Sequence, residues 1–383
     1  MHHPLPSNFP EETIFIIDGL IAAFTVALLC PGQSIRCIYE CKEVQWRKVD
    51  FIALYDLLLA DVDIREKRIV NVPHPYFLQG KSFFGTIRKQ KRFIRRVKDI
   101  VTLDSNETYC GCVTSSILLA NKRSVPHFLM DEGMDSIMAR HRLYRRGSSV
   151  LLDRLREIVA GFLIPFRFHR DTPQITMAND EHDSISLRKD YRDFHSYRFN
   201  HLALPLQDFL NKNNKNILAL VKGPPHLSAN SLSGNLDMNS KYIEFNIKAI
   251  KRFIATQPQY VDACFYLKTH PSLGADSQLV DSLLSGLKRN RITARDICEG
   301  MSFEELPSLP AEAFLATGKF CALLSLDISS TLWHVCHDQS LECFMPLDDI
   351  INLAYIDGSA AQLSLLKGQY ELNRINGSRV IFY

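Results

Sequence analysis

The sequence predicts an α/β protein made of two Rossmann-like domains facing each other across a cleft. Three observations predict it. Apolar runs of strand length alternate with stretches of helix length, and the alternation runs twice, with a break near 200–213. Runs such as Thr13–Ile17 and Ala263–Leu267 are continuously apolar, the pattern of parallel strands buried on both faces. Several runs end in polar residues, at the position where open parallel sheets hold their ligands. A chain of 383 residues has room for two such domains, placed here at 1–205 and 206–383.

The elements follow in order. Thr13–Ile17 is a β-branched strand, Asp18-Gly19 a turn and Leu20–Leu29 an apolar helix. With only one glycine in that turn the dinucleotide fingerprint is absent, so NAD is not predicted. Ser34–Tyr39 and Arg68–Val72 read as strands around a helix at Asp50–Leu59. Asp99–Leu103 is read as a strand, Val113–Ala120 as a helix and Val125–Met130 as a strand. Helices are predicted over Met134–Arg146 and Leu151–Leu163. In the second half, strands are predicted at Asn216–Val221, Ala263–Leu267 and Cys321–Ile328. Helices are predicted at Lys241–Phe253, 275–288 and Thr331–Val335.

Composition bounds the function. A hydrophobic content of 46% with 23% charged residues is ordinary for a globular enzyme, and a net charge of +3 gives no global pull toward nucleic acid. Ten cysteines are scattered without paired Cys-x-x-Cys motifs, and several lie inside apolar runs. This is the usage of a reduced, cytoplasmic protein. The apolar stretch Ile14–Cys30 is interrupted by Asp18 and Gly19 and is short for a membrane span, so a strand and a buried helix are expected instead. Attachment to a membrane surface stays open.

Chemistry concentrates at three strand ends. Lys268-Thr269-His270-Pro271 closes the run at Ala263–Leu267. Lys268 and His270 alternate in an extended chain, so both are expected on one side, and Pro271 keeps His270 out of a helix. Cationic and hydrogen-bonding groups on a rigid ledge suit a phosphate. Ser329-Ser330 precedes a helix, where hydroxyls and backbone amides hold an anion; a plain helix cap is the simpler account. Asp131-Glu132-Gly133 follows Val125–Met130. One of these carboxylates can serve as general base on a hydroxyl, although an acid pair at a helix start would also satisfy the dipole. A second His-Pro pair, His74-Pro75, lies in a proline-rich loop and reads as structural. Asp61-Val62-Asp63 does not stand at a strand end and is discounted as a metal site.

Lys81–Lys98 carries eight cations and no acid, including Arg88, Lys89, Arg92, Arg95 and Arg96. Phe84, Ile87, Phe93, Ile94 and Val97 fall on one helical face, so an amphipathic helix is expected. Its cationic face is either merely solvated or takes a polyanion or an anionic membrane surface. Phe83, Phe84 and Phe93 are its only aromatic residues and no nucleic-acid motif is present, so no nucleic-acid partner is expected.

Asp131-Glu132-Gly133, His270-Pro271 and Ser329-Ser330, in that order, resemble the D/E-D/E-G, HP and serine-pair motifs of bacterial sialyltransferases of GT-B architecture. The likeness is strongest to the capsular polysialyltransferases. Ser302-Phe303-Glu304 is a further match to related sialyltransferases. The resemblance covers the motif framework and not the whole chain. It implies inverting transfer of sialic acid from CMP-sialic acid, with neither metal nor cofactor. It implies Glu132, or alternatively Asp131, as base, and His270 as partner of the leaving phosphate. Ser329 and Ser330 would hold that phosphate, and Glu304 would read the cytosine, with Lys268 and Pro271 nearby. The cationic helix would then hold an anionic polysaccharide or glycolipid acceptor, or meet the inner membrane or a capsule-export complex. The rivals are a transferase of another CMP-sugar such as CMP-Kdo, one acting on lipooligosaccharide, and a non-catalytic polyanion-binding protein.

Overall fold

The computed structural model describes residues 12–30, 32–43, 51–73, 83–112, 114–130, 174–176, 185–186, 210, 215–223, 236–269, 277–297, 299, 309–327, 329, 331–335, 341–356, 366 and 380–383. The chain divides into two compact units, Met1–Arg188 and Lys189–Tyr383.

The first unit runs β1 (Thr13–Ile17), α1 (Leu20–Leu29), β2 (Ser34–Glu43), α2 (Phe51–Leu58), β3 (Asp63–Pro73) and α3 (Phe83–Ile100). It continues with β4 (Thr108–Cys112), α4 (Ser116–Asn121), β5 (His127–Met130), β6 (Gln174–Thr176) and β7 (Ile185–Ser186). Its seven strands form one sheet in the order β3-β2-β1-β4-β5-β6-β7, with every pairing parallel.

The second unit runs β8 (Asn216–Leu220), α5 (Leu236–Thr256), β9 (Cys264–Lys268), α6 (Ser277–Arg289), β10 (Ala294–Asp296) and α7 (Ala311–Leu315). After these come β11 (Ala322–Ser325), α8 (Thr331–Val335), β12 (Glu342–Met345), α9 (Leu347–Ile356) and β13 (Val380–Phe382). Its six strands form a parallel sheet in the order β10-β9-β8-β11-β12-β13. Each unit therefore starts in mid-sheet, winds outward to one edge, returns and winds to the other. This is the doubly wound Rossmann order, and it makes the gap between the first and fourth strands of each unit a topological switch point. The α/β class and the two Rossmann-like units expected from the sequence are both observed.

The apolar runs are strands because both of their faces are covered. All five residues of β1 are buried. Ile14 and Ile16 pack with Phe93 and Val97 of α3 and Ile117 and Leu118 of α4. On the other face, Tyr39 of β2 meets Tyr55 of α2 edge-on at 5.3 Å. Helix α1 is buried from Ala22 to Leu28, as expected of a helix apolar all round, and the hydroxyl of its Thr25 donates to the Ile21 carbonyl. The apolar stretch Ile14–Cys30 is thus a core strand and helix, as expected. Among the described residues no helix is long and apolar enough to cross a membrane, and no disulfide is present.

In the second unit, Phe253 of α5 gathers Tyr260, Phe265, Phe344 and Tyr383 around one face of the sheet. Gly286 of α6 lets that helix lie close against α5, since a Cβ there would meet Ile247 Cδ1 at 2.3 Å. The opposite face carries Tyr266, edge-on to Phe320.

One predicted strand is not one. Asp99 and Ile100 belong to the end of α3, and 101–104 is a loop whose Val101 and Leu103 are buried. The buried side chain of Asn121 holds that loop, donating to the Val101 carbonyl and accepting from the Leu103 amide. The strand itself is Thr108–Cys112, whose Gly111 obscures the pattern. A Cβ on Gly111 would lie 3.2 Å from Ile16 Cβ and 3.4 Å from Leu118 Cδ2, so a larger residue there would have to push β1 or α4 back by a few tenths of an ångström. The predicted helices over 134–146 and 151–163 lie outside the described residues.

Candidate functional site

The carboxyl edge of each sheet is described by itself. In the first unit, Asp18 follows β1, Thr114 lies beyond β4, and β2 runs on past the end of β1 through Glu40 and Lys42. The Asp18 side chain is 2% exposed, and its Oδ2 accepts from Lys42 Nζ at 3.0 Å and from Thr114 Oγ1 at 2.8 Å. Glu40 is buried completely at the start of α4. It accepts from Ser115 Oγ at 2.7 Å and from the backbone amides of Ser116 and Ile117 at 2.8 and 3.1 Å. Burial pushes the Glu40 carboxyl above its ordinary range; nearby Lys42 opposes this and the Asp18 charge adds to it. Lys42 Nζ lies 3.9 Å from Glu40, so one ammonium serves two carboxylates.

In the second unit, β9, β8 and β11 are neighbours in the sheet. Beyond β8, Lys222 donates to Asp327 Oδ1 at 2.6 Å, across the switch point to the end of β11. The lysine side chain is 5% exposed and the aspartate 21%. Buried Asn246 of α5 grips the Lys222 peptide from both ends, accepting from its N–H at 3.0 Å and donating to its carbonyl at 2.8 Å. The backbone of Asp327 is held by Ser325 Oγ at 2.7 Å. Lys268 ends β9, buried, with Nζ donating to the Thr269 carbonyl at 3.2 Å and lying 5.8 Å from the centre of the Phe314 ring. Its ammonium is thus turned toward α7.

Of the residues the sequence singled out, Asp131, Glu132, His270, Pro271, Glu304 and Ser330 lie outside the described residues. Ser329 is half-buried and its Oγ accepts from the Thr331 amide at 3.2 Å, the plain cap of a short helix. Arg88, Lys89, Arg92, Arg95 and Arg96 are all exposed along α3, while Phe93 and Val97 on its other face are buried. The amphipathic helix expected there is present. Lys222 and Asp327 carried no role in the sequence reading, although Lys222-Gly223-Pro224 after an apolar strand was a visible signal. Asp18 was read only as a turn residue.

No known family matches the sequence, and no curated protein matches it. Among solved structures, the chain is similar to the GT-B domain of a sialyltransferase from Photobacterium damselae, at 12% identity and a TM-score of 0.44. That match covers 97% of this chain and 99% of the other. It is also similar to the UDP-GlcNAc 2-epimerase from Neisseria meningitidis, at 11% identity and 0.42, covering 95% and 91%. A third match is the wall teichoic acid polymerase TagF, at 12% identity and 0.40, covering 96% and 81%. At TM-scores of 0.40 to 0.44 no assignment of function follows from these likenesses.

Proposed function

We propose that the chain is an inverting, metal-independent glycosyltransferase that moves sialic acid from CMP-sialic acid to a sialylated or polysialic acid acceptor in capsule polysaccharide synthesis. One observation carries the reading: the three motifs follow the carboxyl ends of strands in two all-parallel sheets. Asp131-Glu132-Gly133 comes directly after β5, Lys268 ends β9 with His270-Pro271 just beyond, and Ser329-Ser330 comes shortly after β11. Ligands of doubly wound sheets bind at that edge. The second unit also sets Lys222 just beyond β8, the middle strand of the three, paired with Asp327, from which a phosphate would have to take it.

In the proposed step Glu132, with Asp131 as the alternative, takes the proton of an acceptor hydroxyl. The hydroxyl oxygen attacks the anomeric carbon of sialic acid from the face opposite CMP. The bond from that carbon to the phosphate oxygen breaks, and CMP leaves with the electron pair. His270 meets the charge developing on the phosphate as acid or electrostatic partner, with Pro271 fixing its backbone. Ser329 and Ser330 hold the phosphate and Glu304 reads the cytosine, with Lys268 close by. The exposed cations of α3 hold an anionic acceptor or an anionic surface. The test is incubation with CMP-sialic acid or CMP-Kdo and a sialylated oligosaccharide, followed by linkage analysis of the product. Sialyl transfer without added metal supports the reading, and transfer from CMP-Kdo alone, or none from either donor, overturns it.

A further inference from the structure

Asp18 has half of its carboxylate unused. Oδ2 is occupied by Lys42 and Thr114, but Oδ1 is buried and has no hydrogen-bond partner among the described residues. Buried carboxylate oxygens are normally met by donors, and an exception points to something that arrives. Within the cluster Lys42 is already shared by two acids and Thr114 is bonded to Oδ2. The next residue, Gly19, is the N-cap of α1 and has no side chain with which to cap it. A Cβ built on Gly19 meets nothing within 4 Å, so space opens at that point of the chain. The first amides of a ten-residue helix have no acceptor within the helix, and that end carries positive potential.

Consecutive residues therefore offer an unmet acceptor, open space and unmet donors. An anion would be repelled by Asp18, and a cation by the helix end and Lys42. A hydroxyl donates and accepts at once and answers both needs. We propose that Asp18 Oδ1 and the amino end of α1 bind a hydroxyl of the acceptor sugar, a polyol. The proposal rests on the glycosyltransferase reading and adds a binding group that the motifs do not contain.

Gly19→Ser tests the space. Gly19 has φ −170°, extended backbone that serine adopts without strain, and serine is a favoured N-cap. The fold should melt at the same temperature or higher while the new side chain occupies the space. The expected result, by calorimetry on the full chain, is at least an about tenfold weaker affinity for disialyl-lactose in both Gly19→Ser and Asp18→Asn, the loss of one charge-assisted hydrogen bond. Affinities for CMP and CMP-sialic acid should not change. Wild-type affinity for disialyl-lactose in a folded Gly19→Ser overturns the site. A loss confined to CMP-sialic acid overturns it too, because the hydroxyl would then be the donor's. A wild-type chain that binds neither nucleotide nor oligosaccharide overturns the transferase reading itself.

Discussion

At the switch point of the first sheet two buried carboxylates, Asp18 and Glu40, share the single ammonium of Lys42. At that of the second sheet Lys222 meets Asp327, and another buried lysine, Lys268, ends the neighbouring strand. The strand orders agree over six strands, the first sheet adding a seventh at its edge, so topology decides where a ligand goes and the side chains at the strand ends decide which ligand it is. The first edge is acidic. Moreover, Glu40 already fills the start of α4 with the chain's own carboxylate, so a phosphate finds no place there. The second edge carries two buried lysines, Lys222 paired with Asp327 and Lys268 turned toward α7, so a phosphate there would compete with Asp327 for Lys222. The proposed function divides along the same line, with chemistry on a hydroxyl in the first unit and retention of a nucleotide in the second.

The largest test of this division is Glu132→Gln. Loss of a general base should lower transfer by about 10³-fold, with CMP affinity unchanged. Steady-state rates and calorimetry read the two separately, and an equal fall in CMP affinity breaks the comparison. His270→Ala and the double replacement Lys222→Met with Asp327→Leu should each weaken CMP binding by about 10- to 100-fold, the range for losing a charged contact to phosphate. Replacing both members leaves neither charge of this pair buried alone, so the fold should persist. Unchanged CMP affinity in the double variant removes Lys222 from the nucleotide edge.

Neutralising Arg92, Arg95 and Arg96 sharpens the comparison at longer range. KM for long anionic acceptors should rise about tenfold at low salt and that for short ones much less, because the cations act by field rather than contact. Equal effects at both lengths count against an acceptor track. The smallest effect concerns stability. Burial raises the Glu40 carboxyl, so the folded state holds its proton more tightly than the unfolded chain does. That contribution is complete below the ordinary value of 4.5 and is lost as pH rises through the raised folded value. Glu40→Gln should cost about 1–3 kcal/mol through mispaired amides, and should flatten the decline of Tm with rising pH. A wild-type Tm that does not fall above pH 4.5 contradicts the assignment.

Much of this was legible where chemistry is local. Thr13–Ile17 and Leu20–Leu29 are read to the residue, because a strand buried on both faces and a helix buried all round each leave an unbroken apolar run. The strand at Thr108–Cys112 is hidden in the sequence because a glycine stands in its middle, where a side chain would crowd Ile16 and Leu118. Short strands such as Ala294–Asp296 and Val380–Phe382 have too few residues to show a period. The site divides in the same way. Motif residues stand together in the sequence and can be singled out there as candidates. Asp18 meets partners 24 and 96 residues away, and Lys222 one 105 residues away, and no spacing rule links them.

Asn246 gives the second unit a built-in gauge. Its carboxamide is wholly buried, and its NH₂ group donates to the carbonyls of both Tyr242 and Lys222. Protons held in this way exchange slowly with solvent and stand apart in a nitrogen-correlated magnetic resonance spectrum. The carboxamide grips both backbone groups of Lys222, so a phosphate arriving at that lysine, as the proposed function requires, would shift the resonance while Asn246 itself stays buried.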